Sequence, residues 1–444
     1  MKRVLPKLAL AAVLIGAAIG PFVTCTERQV PPVAETEPAS EDDGERPVDP
    51  PRGTSTPLTR LDHEIVFFTD RGETGRSWLN FEMAALRYLE RQRLTGDYAD
   101  FAGAEHALNR AFEFAPAGSG PVFTRMALNF TLHRLAPLEA DVLANEHAVL
   151  LRPDQRLAMV SYRADIAFYR GEYDEALQRY EGLLAEDRDA ISLVALAQYH
   201  WRTGDLVRAE TLFSEAEAAG SDAERAWLCL VRALFEVSQD HWELAAAAID
   251  RGLAERPGWW QLEEHQGQVL FEQGALEDAL AVFEGAYAHA PSPEILDALA
   301  VLALEQGRRS DAADLAARAE AMHEERIAMF PEAAAGHALD HFLLLSDDLD
   351  RAIELAELNR DARPFGEAQA KLAIAYARAG RWDDALEVIY VIEAGAWRTA
   401  ESEAIAALVH QQVGDGARAL EHRDRANTLA PSAVGRVEAI LRGR

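Results

Sequence analysis

Glycine or aspartate recurs along this 444-residue chain at intervals of about 34 positions. The positions are Gly171, Gly204, Asp240, Gly274, Gly307, Asp347, Gly380 and Gly414, separated by 33, 36, 34, 33, 40, 33 and 34 residues. A fixed period of this length indicates a repeat architecture, because each repeat buries its apolar face only by stacking on its neighbours. The sequence therefore predicts one elongated stack of similar units and not several globular domains.

The stretch from Trp260 to Pro291 shows what one unit contains. Gly274 predicts the end of a first helix, since glycine adopts the left-handed conformation of a helix C-terminus without strain. Ala279 and Phe283 begin the inward stripe of a second helix at helical spacing. Pro291 then ends that helix before the next unit. Each unit is therefore expected to be two helices joined by a tight turn.

The same order of small, aromatic and proline positions returns in other units. One copy contains Leu372, Ala373, Tyr376, Gly380, Ala385 and Ile389, and another contains Ala406, Ala407, Gly414, Ala419, Ala426 and Pro431. These residues resemble the tetratricopeptide repeat, whose signature combines small residues, an aromatic residue and a closing proline. Degenerate copies cover residues 80–156, clear copies cover 157–432, and a helical end covers 433–444. The resemblance implies an all-α fold, a right-handed superhelical solenoid of about ten antiparallel helix pairs.

Two stretches depart from the regular pattern. The 40-residue step between Gly307 and Asp347 predicts a longer second helix, from Ser310 to Phe330. Residues 58–79 contain the strand-like run Ile65-Val66-Phe67-Phe68, so we expect an irregular segment or a short extended piece there.

The N-terminus carries the features of an export signal over residues 1–25, with a basic start and an apolar stretch from Leu8 to Val23. Cys25 follows directly, and its placement resembles a bacterial lipoprotein signal, which implies lipidation of that cysteine. The alternatives are cleavage and simple secretion, or retention as an uncleaved anchor, although the stretch is short for a membrane span. The chain is thus predicted to lie outside the cytoplasm, on the periplasmic or cell-envelope side. The acidic, Pro-rich residues 26–57 predict a disordered tether.

The chain is strongly acidic, with a formal net charge of −30. A nucleic-acid partner requires a basic surface to neutralise its phosphates, so the composition argues against one. Two interpretations of the acidity remain. It keeps a large repeat surface soluble, or it forms an acidic groove for a basic segment of a partner.

The sequence contains no Gly-rich phosphate loop and no HExxH, CxxC or GxSxG motif. It therefore predicts no catalytic residue and no cofactor. The sharpest polar group is His337, Asp340 and His341, in which the two histidines are four positions apart and share one helix face. Two ligands are too few for a tight metal site, so this pair is only a weak metal candidate. Asp340 is expected to be a buried hydrogen-bonding residue tied to a neighbouring turn.

The resemblance implies that the inner, concave surface of the repeats contacts the partner. Reading the repeats in phase gives eight candidate residues that mix aromatic, basic and polar types, as binding surfaces do. They are Asp165, Tyr169, Gln198, Trp201, Arg202, Gln268, His337 and His341. The alternative for the aromatic members is packing between repeats.

The sequence favours a non-enzymatic scaffold that binds a protein or peptide partner, in envelope assembly or secretion. Two other classes stay open. One is a metal-dependent enzyme centred on His337 and His341, and the other is a module that binds a cell-envelope polymer through Trp201.

Overall fold

A computed structural model describes residues 56–146 and 151–443 of the chain. These residues form twenty-two helices and no strand. The helices are α1 Pro57–Gly75, α2 Trp78–Thr95, α3 Ala99–Phe114, α4 Val122–Thr131, α5 Leu135–Asn145, α6 Pro153–Tyr169, α7 Tyr173–Glu186, α8 Ala190–Arg202, α9 Leu206–Ala219, α10 Arg225–Val237, α11 Trp242–Glu255, α12 Trp260–Gln273, α13 Leu276–His289, α14 Pro293–Glu305, α15 Arg309–Met329, α16 Pro331–Leu344, α17 Leu349–Ala362, α18 Gly366–Arg378, α19 Trp382–Ala394, α20 Ala400–Gln412, α21 Gly416–Leu429 and α22 Ala433–Arg442.

Consecutive helices pack as antiparallel pairs. The described residues contain ten pairs, from α2/α3 to α20/α21, and each pair stacks on the next. Helix α1 packs on α2 before the first pair, and α22 packs on α18 and α20 after the last. The fold is a right-handed superhelical solenoid of helix pairs, as the sequence predicts.

Left-handed residues form the turns inside most pairs. Positive φ angles of 70° to 89° occur at Gly96, Gly171, Gly204, Gly274, Gly307, Gly380 and Gly414. Asp240 takes the place of glycine with φ 61°, and His133 does so with φ 56° in α4/α5, where the sequence has no glycine. Asp347 is not left-handed; in its turn Asp348 caps α17 by accepting a hydrogen bond from the Arg351 N–H.

The structure corrects the expectation for residues 58–79, because α1 is a helix there. Thr56 caps its N-terminus and Pro57 is its first residue, which is the position where proline is tolerated best. Leu61 and Ile65, four positions apart, are buried on one side of α1. The β-branched run is therefore one turn of an amphipathic helix, and the end signals outweigh β propensity.

The 40-residue interval between Gly307 and Asp347 corresponds to a long helix. Helix α15 has 21 residues, and it is the longest helix in the described part of the chain. This confirms the lengthened second helix. Pro331 is the first residue of α16, so it starts the next helix directly after α15 ends.

The solenoid contacts itself about one superhelical turn later. The Tyr173 hydroxyl accepts a hydrogen bond from the Gly366 N–H at 2.8 Å, across 193 residues. The Asp240 carboxylate accepts one from the Ser432 N–H at 2.7 Å, across 192 residues. These separations correspond to between five and six repeats of 34 residues. Turns inside the early pairs therefore pack on junctions between the later pairs, and the inner face is largely enclosed.

No helix within 56–146 and 151–443 has the length and apolar character needed to cross a membrane. The predicted export signal with Cys25, and the tether up to residue 55, lie outside the described residues.

Candidate functional site

The eight residues predicted to contact a partner all lie on first helices of their pairs. Asp165 and Tyr169 are on α6, Gln198, Trp201 and Arg202 on α8, Gln268 on α12, and His337 and His341 on α16. The buried members are Asp165, Trp201, Gln268 and His341. The half-buried members are Tyr169, Gln198, Arg202 and His337. The first helices form the inner wall, which the self-contact of the superhelix encloses. In this conformation the four buried side chains offer no surface to a partner.

Trp201 and Arg202 take part in a cluster that the closure of the superhelix creates. The Arg202 guanidinium lies 4.0 Å from the Trp201 ring centroid and 5.7 Å from that of Trp397. It is also 3.6 Å from the Glu367 carboxylate. A cavity of about 60 Å³ adjoins this cluster. That volume holds a few water molecules and no peptide side chain of substantial size.

Asp165 and Tyr169 are also enclosed. The Tyr180 hydroxyl donates a hydrogen bond of 2.7 Å to Asp165. Burial raises the pKa of Asp165 to about 7, and this hydrogen bond only partly offsets the effect. The Arg363 guanidinium covers the Tyr169 ring at 5.3 Å, so a residue from a later pair occupies the side of Tyr169 that a partner would use.

Gln268 forms a local pair on α12. Its Oε1 lies 3.1 Å from Nδ1 of His265. Burial lowers the pKa of His265 to about 4, so the ring is neutral and donates its Nδ1–H to the amide oxygen. Gln198 on α8 is half-buried.

His337 and His341 share a helix but face different partners. The Nδ1 atom of His337 is 3.9 Å from a Glu294 carboxylate oxygen, and burial lowers the pKa of His337 to about 4. The Nδ1 atom of His341 donates to Asp297 at 2.6 Å. His337 is absent from both groups of three potential ligands found among the described residues.

Asp340 is buried as expected, but its partner is a lysine of the next pair. The Lys371 ammonium donates to both Asp340 carboxylate oxygens at 2.6 Å. Burial disfavours the charge on Lys371, yet the Asp340 and Glu401 carboxylates outweigh burial and raise the pKa of Lys371. The pair is therefore an ion pair that ties α16 to α18.

Two groups of side chains have the composition and spacing of metal ligands within the described part of the chain. They are Asp297, His323 and His341, and Glu393, His410 and His422. Sequence reasoning missed His323, His410 and His422, because each gains its neighbours from other helices.

A series of arginines spaced at intervals close to the repeat period was also not identified from the sequence. Arg326, Arg363, Arg398 and Arg436 lie near junctions between later pairs, at steps of 37, 35 and 38 residues. Three of these residues contact turns inside early pairs. Arg326 Nη2 donates to the Gly96 carbonyl at 3.1 Å, the Arg398 N–H donates to the Arg202 carbonyl at 2.9 Å, and Arg436 pairs with Asp240. Their spacing, close to the repeat period, is the signal that could have found them.

An open concavity lies where α4 and α5 meet α16 and α17. Its volume is about 810 Å³, in the range of sites that hold drug-sized ligands. The lining residues of α4 and α5 are Arg125, Asn129, His133, Arg134, Leu135, Ala136, Pro137, Ala140 and Asp141, and those of α16 and α17 are Glu332, Asp361 and Ala362. We call this surface the α4–α17 groove. At its base, the His133 Nδ1 atom is 3.3 Å from the Glu332 carbonyl oxygen.

A family profile described as tetratricopeptide repeat matches this chain at residues 163–224 and 230–293. The two matches lie in the region of clear repeats that carries Asp165, Trp201 and Gln268. No curated protein sequence matches the chain.

Solved structures of repeat proteins show similarity at low sequence identity. A tetratricopeptide repeat protein from Parabacteroides merdae is 17% identical, with 58% of this chain and 98% of that chain covered and a TM-score of 0.37. A thermophilic repeat protein from Thermus thermophilus is 21% identical, with 46% and 98% covered and a TM-score of 0.34. The Cut9–Hcn1 hetero-tetramer of the APC/C is 14% identical, with 89% and 78% covered and a TM-score of 0.42.

Proposed function

Because this chain is a tetratricopeptide repeat protein, we propose that it is a non-enzymatic scaffold that binds a protein partner outside the cytoplasm, in envelope assembly or secretion. A stack of helix pairs supports this role, since such stacks present extended surfaces built from many similar units. The observation that carries the proposal is the α4–α17 groove, which is open, whereas four of the eight candidate residues on the inner wall are buried.

The groove has the make-up of a docking surface. Ala136, Pro137 and Ala140 are exposed along it, so an apolar side chain of a partner can pack on them. The carboxylates of Glu332 and Asp361 stand opposite, on the later pair. An apolar strip beside carboxylates fits a peptide segment that carries both apolar and basic residues.

The charge of the whole chain supports a basic segment as the partner. A net charge of −30 attracts cationic segments at long range and accelerates their association at low salt. The Arg125 side chain on the groove wall is neutralised, since Nη2 lies 2.6 Å from Asp141. Arg134, the other lining arginine, pairs with Glu105, and Asp361 pairs with Arg360. The five charged lining residues sum to −1, so the groove is weakly acidic.

Photo-crosslinking in cells tests the docking surface. A photoreactive residue at Ala140, in the groove, should capture a partner that the same residue at Ala218 does not capture. Ala218 is the matched control because it is also an exposed helical alanine, on α9. Equal capture at both positions would refute the groove as the site.

Charge neutralisation tests the basic segment. The double variant Glu332→Gln, Asp361→Asn should bind the captured partner more weakly, by about fivefold for each charge at about 1 kcal/mol. The control is the double variant Glu277→Gln, Asp278→Asn on α13. Both side chains are exposed and do not line the groove, and this variant changes the net charge by the same amount. The difference in partner affinity between the two double variants should become smaller as the salt concentration rises. Identical affinities for the two double variants would exclude a role for the groove carboxylates.

The location outside the cytoplasm rests on the predicted export signal and on Cys25. Mass spectrometry of the mature N-terminus distinguishes the three predicted fates of this region. A diacylated Cys25 supports lipid anchoring, an unmodified cleaved terminus supports secretion, and an intact Met1 in the membrane fraction supports an uncleaved anchor. An intact chain in the cytoplasmic fraction would refute export.

A further inference from the structure

In the last two repeats, two histidines converge on a single oxygen atom of a glutamate. Glu393 is at the end of α19, His410 is on α20, and His422 is on α21. The Nε2 atom of His410 lies 2.7 Å from Oε1 of Glu393, and the Nε2 atom of His422 lies 2.9 Å from the same oxygen. The two imidazole rings are stacked, with centroids 5.3 Å apart and planes 9° apart. Three adjacent helices thus bring three potential metal-ligating atoms within 4.8 Å of one another.

The other group of potential ligands is arranged differently. In it, Asp297 uses one carboxylate oxygen for each histidine: Oδ1 meets His341 at 2.6 Å and Oδ2 meets His323 at 2.9 Å. Each hydrogen bond has its own acceptor, and all three side chains are 1% exposed. That group is a satisfied hydrogen-bond network inside the core, and it serves as an internal control for the group at Glu393.

The hydrogen bonds around His422 prepare its Nε2 atom for a metal ion. Its Nδ1 atom lies 2.7 Å from Oε2 of Glu403, and an ionised carboxylate can only accept, so this ring nitrogen carries a proton. Without a metal, Nε2–H donates to Glu393 at 2.9 Å, and a bound metal ion would replace that proton, since histidine ligates through a deprotonated nitrogen. A carboxylate that receives the Nδ1–H of a ligating histidine is the usual support for a metal site, because it fixes the tautomer and the ring orientation.

His410 contributes its Nε2 atom to the group. Its Nδ1 atom is buried and has no hydrogen-bond partner among the described residues. Metal binding through Nε2 would leave the Nδ1 proton without an acceptor, a cost that Glu403 removes for His422. Two histidine nitrogens and one carboxylate oxygen are a ligand set that zinc accepts at about 2.0–2.2 Å, with an open fourth position.

The spacing of the three atoms suits a small cation after modest adjustment. Tetrahedral ligands at about 2.05 Å from zinc lie about 3.3 Å apart. The two contacts to Glu393 Oε1, at 2.7 and 2.9 Å, would lengthen by about half an ångström. Rotation of the Glu393 side chain supplies this change, since that side chain is 23% exposed and sits at the end of its helix.

The site is accessible from solvent. A pocket of about 320 Å³ borders Glu393, Glu403 and His422, and its rim includes Arg418 and Arg425. Arg418 Nη1 donates to the other oxygen of Glu393 at 3.1 Å, which leaves Oε1 for the histidines. The pocket provides a route for an ion and space for a water molecule in the fourth position.

We propose that Glu393, His410 and His422 bind one zinc ion, with Glu403 holding His422 in the ligating orientation. The site is independent of the α4–α17 groove and of the scaffold role. Bound zinc would connect α19, α20 and α21 and stabilise the last repeat against unfolding.

The test is zinc binding by the full chain after removal of metals with a chelator. Equilibrium dialysis against zinc, followed by elemental analysis, should give one zinc ion per chain, and zinc should raise the melting temperature of the chain. Cobalt should bind in its place and show the visible absorption of a tetrahedral site. Absence of zinc uptake by the wild-type chain would overturn the proposal.

Three isosteric or near-isosteric variants separate a metal site from a structural cluster. Glu403→Gln should weaken zinc binding by about 10–100-fold, and Glu393→Gln should weaken it further, since it removes a ligand. His323→Gln, in the control group, should leave zinc affinity unchanged. Circular dichroism verifies that each variant is folded before the affinity is measured. Equal zinc affinity in wild type and Glu393→Gln, or loss of zinc only in His323→Gln, would overturn the assignment.

Discussion

The burial of Asp165 leads to a pH dependence of stability that a groove residue would not produce. Asp165 is 5% exposed and accepts a hydrogen bond from the Tyr180 hydroxyl at 2.7 Å. Burial raises its pKa from 3.8 to about 7. Between these values the folded chain keeps a proton on Asp165 that the unfolded chain has released. The free energy of unfolding therefore falls as the pH rises through this window.

The expected change in the free energy of unfolding follows from the pKa shift of Asp165. Each unit of pH within the window changes the free energy of unfolding by about 1.4 kcal/mol. Asp165→Asn removes the titrating group and keeps an oxygen that can accept from Tyr180. From pH 5 to pH 7 the free energy of unfolding of the wild type falls by about 3 kcal/mol through Asp165, and that of the variant does not. Above pH 7 the difference in free energy of unfolding between the two proteins levels off. The stability of the variant relative to the wild type should thus rise by about 3 kcal/mol from pH 5 to pH 8.

Urea unfolding followed by circular dichroism at pH 5, 6, 7 and 8 measures this difference. Asp250→Asn is the matched control, because Asp250 is exposed on α11 and its removal should leave the pH profile unchanged. A difference between Asp165→Asn and wild type that stays constant across the four pH values would refute the reasoning. Asp165 would then face water, as the sequence analysis expects for a groove residue.

Three other substitutions test the packing, each by urea unfolding at pH 7. Gly366→Ala should cost about 3 kcal/mol or more, because a Cβ atom there would lie 2.0 Å from the Trp397 ring; a neutral effect would mean that this contact between neighbouring repeats does not form. Gly285→Ala should stabilise the chain by about 1 kcal/mol, since it lies inside α13 with open space around it, and destabilisation would contradict that environment. Asp240→Asn keeps a residue that tolerates positive φ but leaves Arg436 without its carboxylate partner. The substitution should therefore lower the free energy of unfolding by about 3 kcal/mol, and a change below about 0.5 kcal/mol would show that the ion pair is solvated.

Local signals in the sequence predicted most of the fold. The turn at Gly274 and the helix start after it depend on residues within a few positions, so they are readable without tertiary information. Helix α1 was missed although Thr56 and Pro57 gave an N-cap and a first-turn proline. The strand-like run at 65–68 was given too much weight relative to those end signals. Propensity is a weak guide where helical periodicity is present.

The closure of the superhelix could not be predicted in the same way. The contact between Tyr173 and Gly366 depends on a small rotation per repeat summed over more than five repeats, and no short stretch of sequence determines that sum. For Trp201 the sequence left contact with a partner and packing between repeats both open, and the structure shows packing, whereas the burial of Gln268 was not expected. For the same reason His422 drew no attention, since its two carboxylate neighbours lie 19 and 29 positions away.

The enclosure of the inner wall changes how mutations there should be interpreted. Trp201 is 3% exposed and packs edge-on against Phe235 at 5.7 Å, so Trp201→Ala removes core volume and should cost about 3–5 kcal/mol. A loss of partner binding in that variant would report unfolding as readily as a lost contact. Substitutions of the exposed residues of the α4–α17 groove carry no such cost, because Ala140 and Asp361 are exposed. Binding experiments on this protein are therefore interpretable at the groove and ambiguous at the inner wall, even though the inner wall is where the repeat pattern first directs attention.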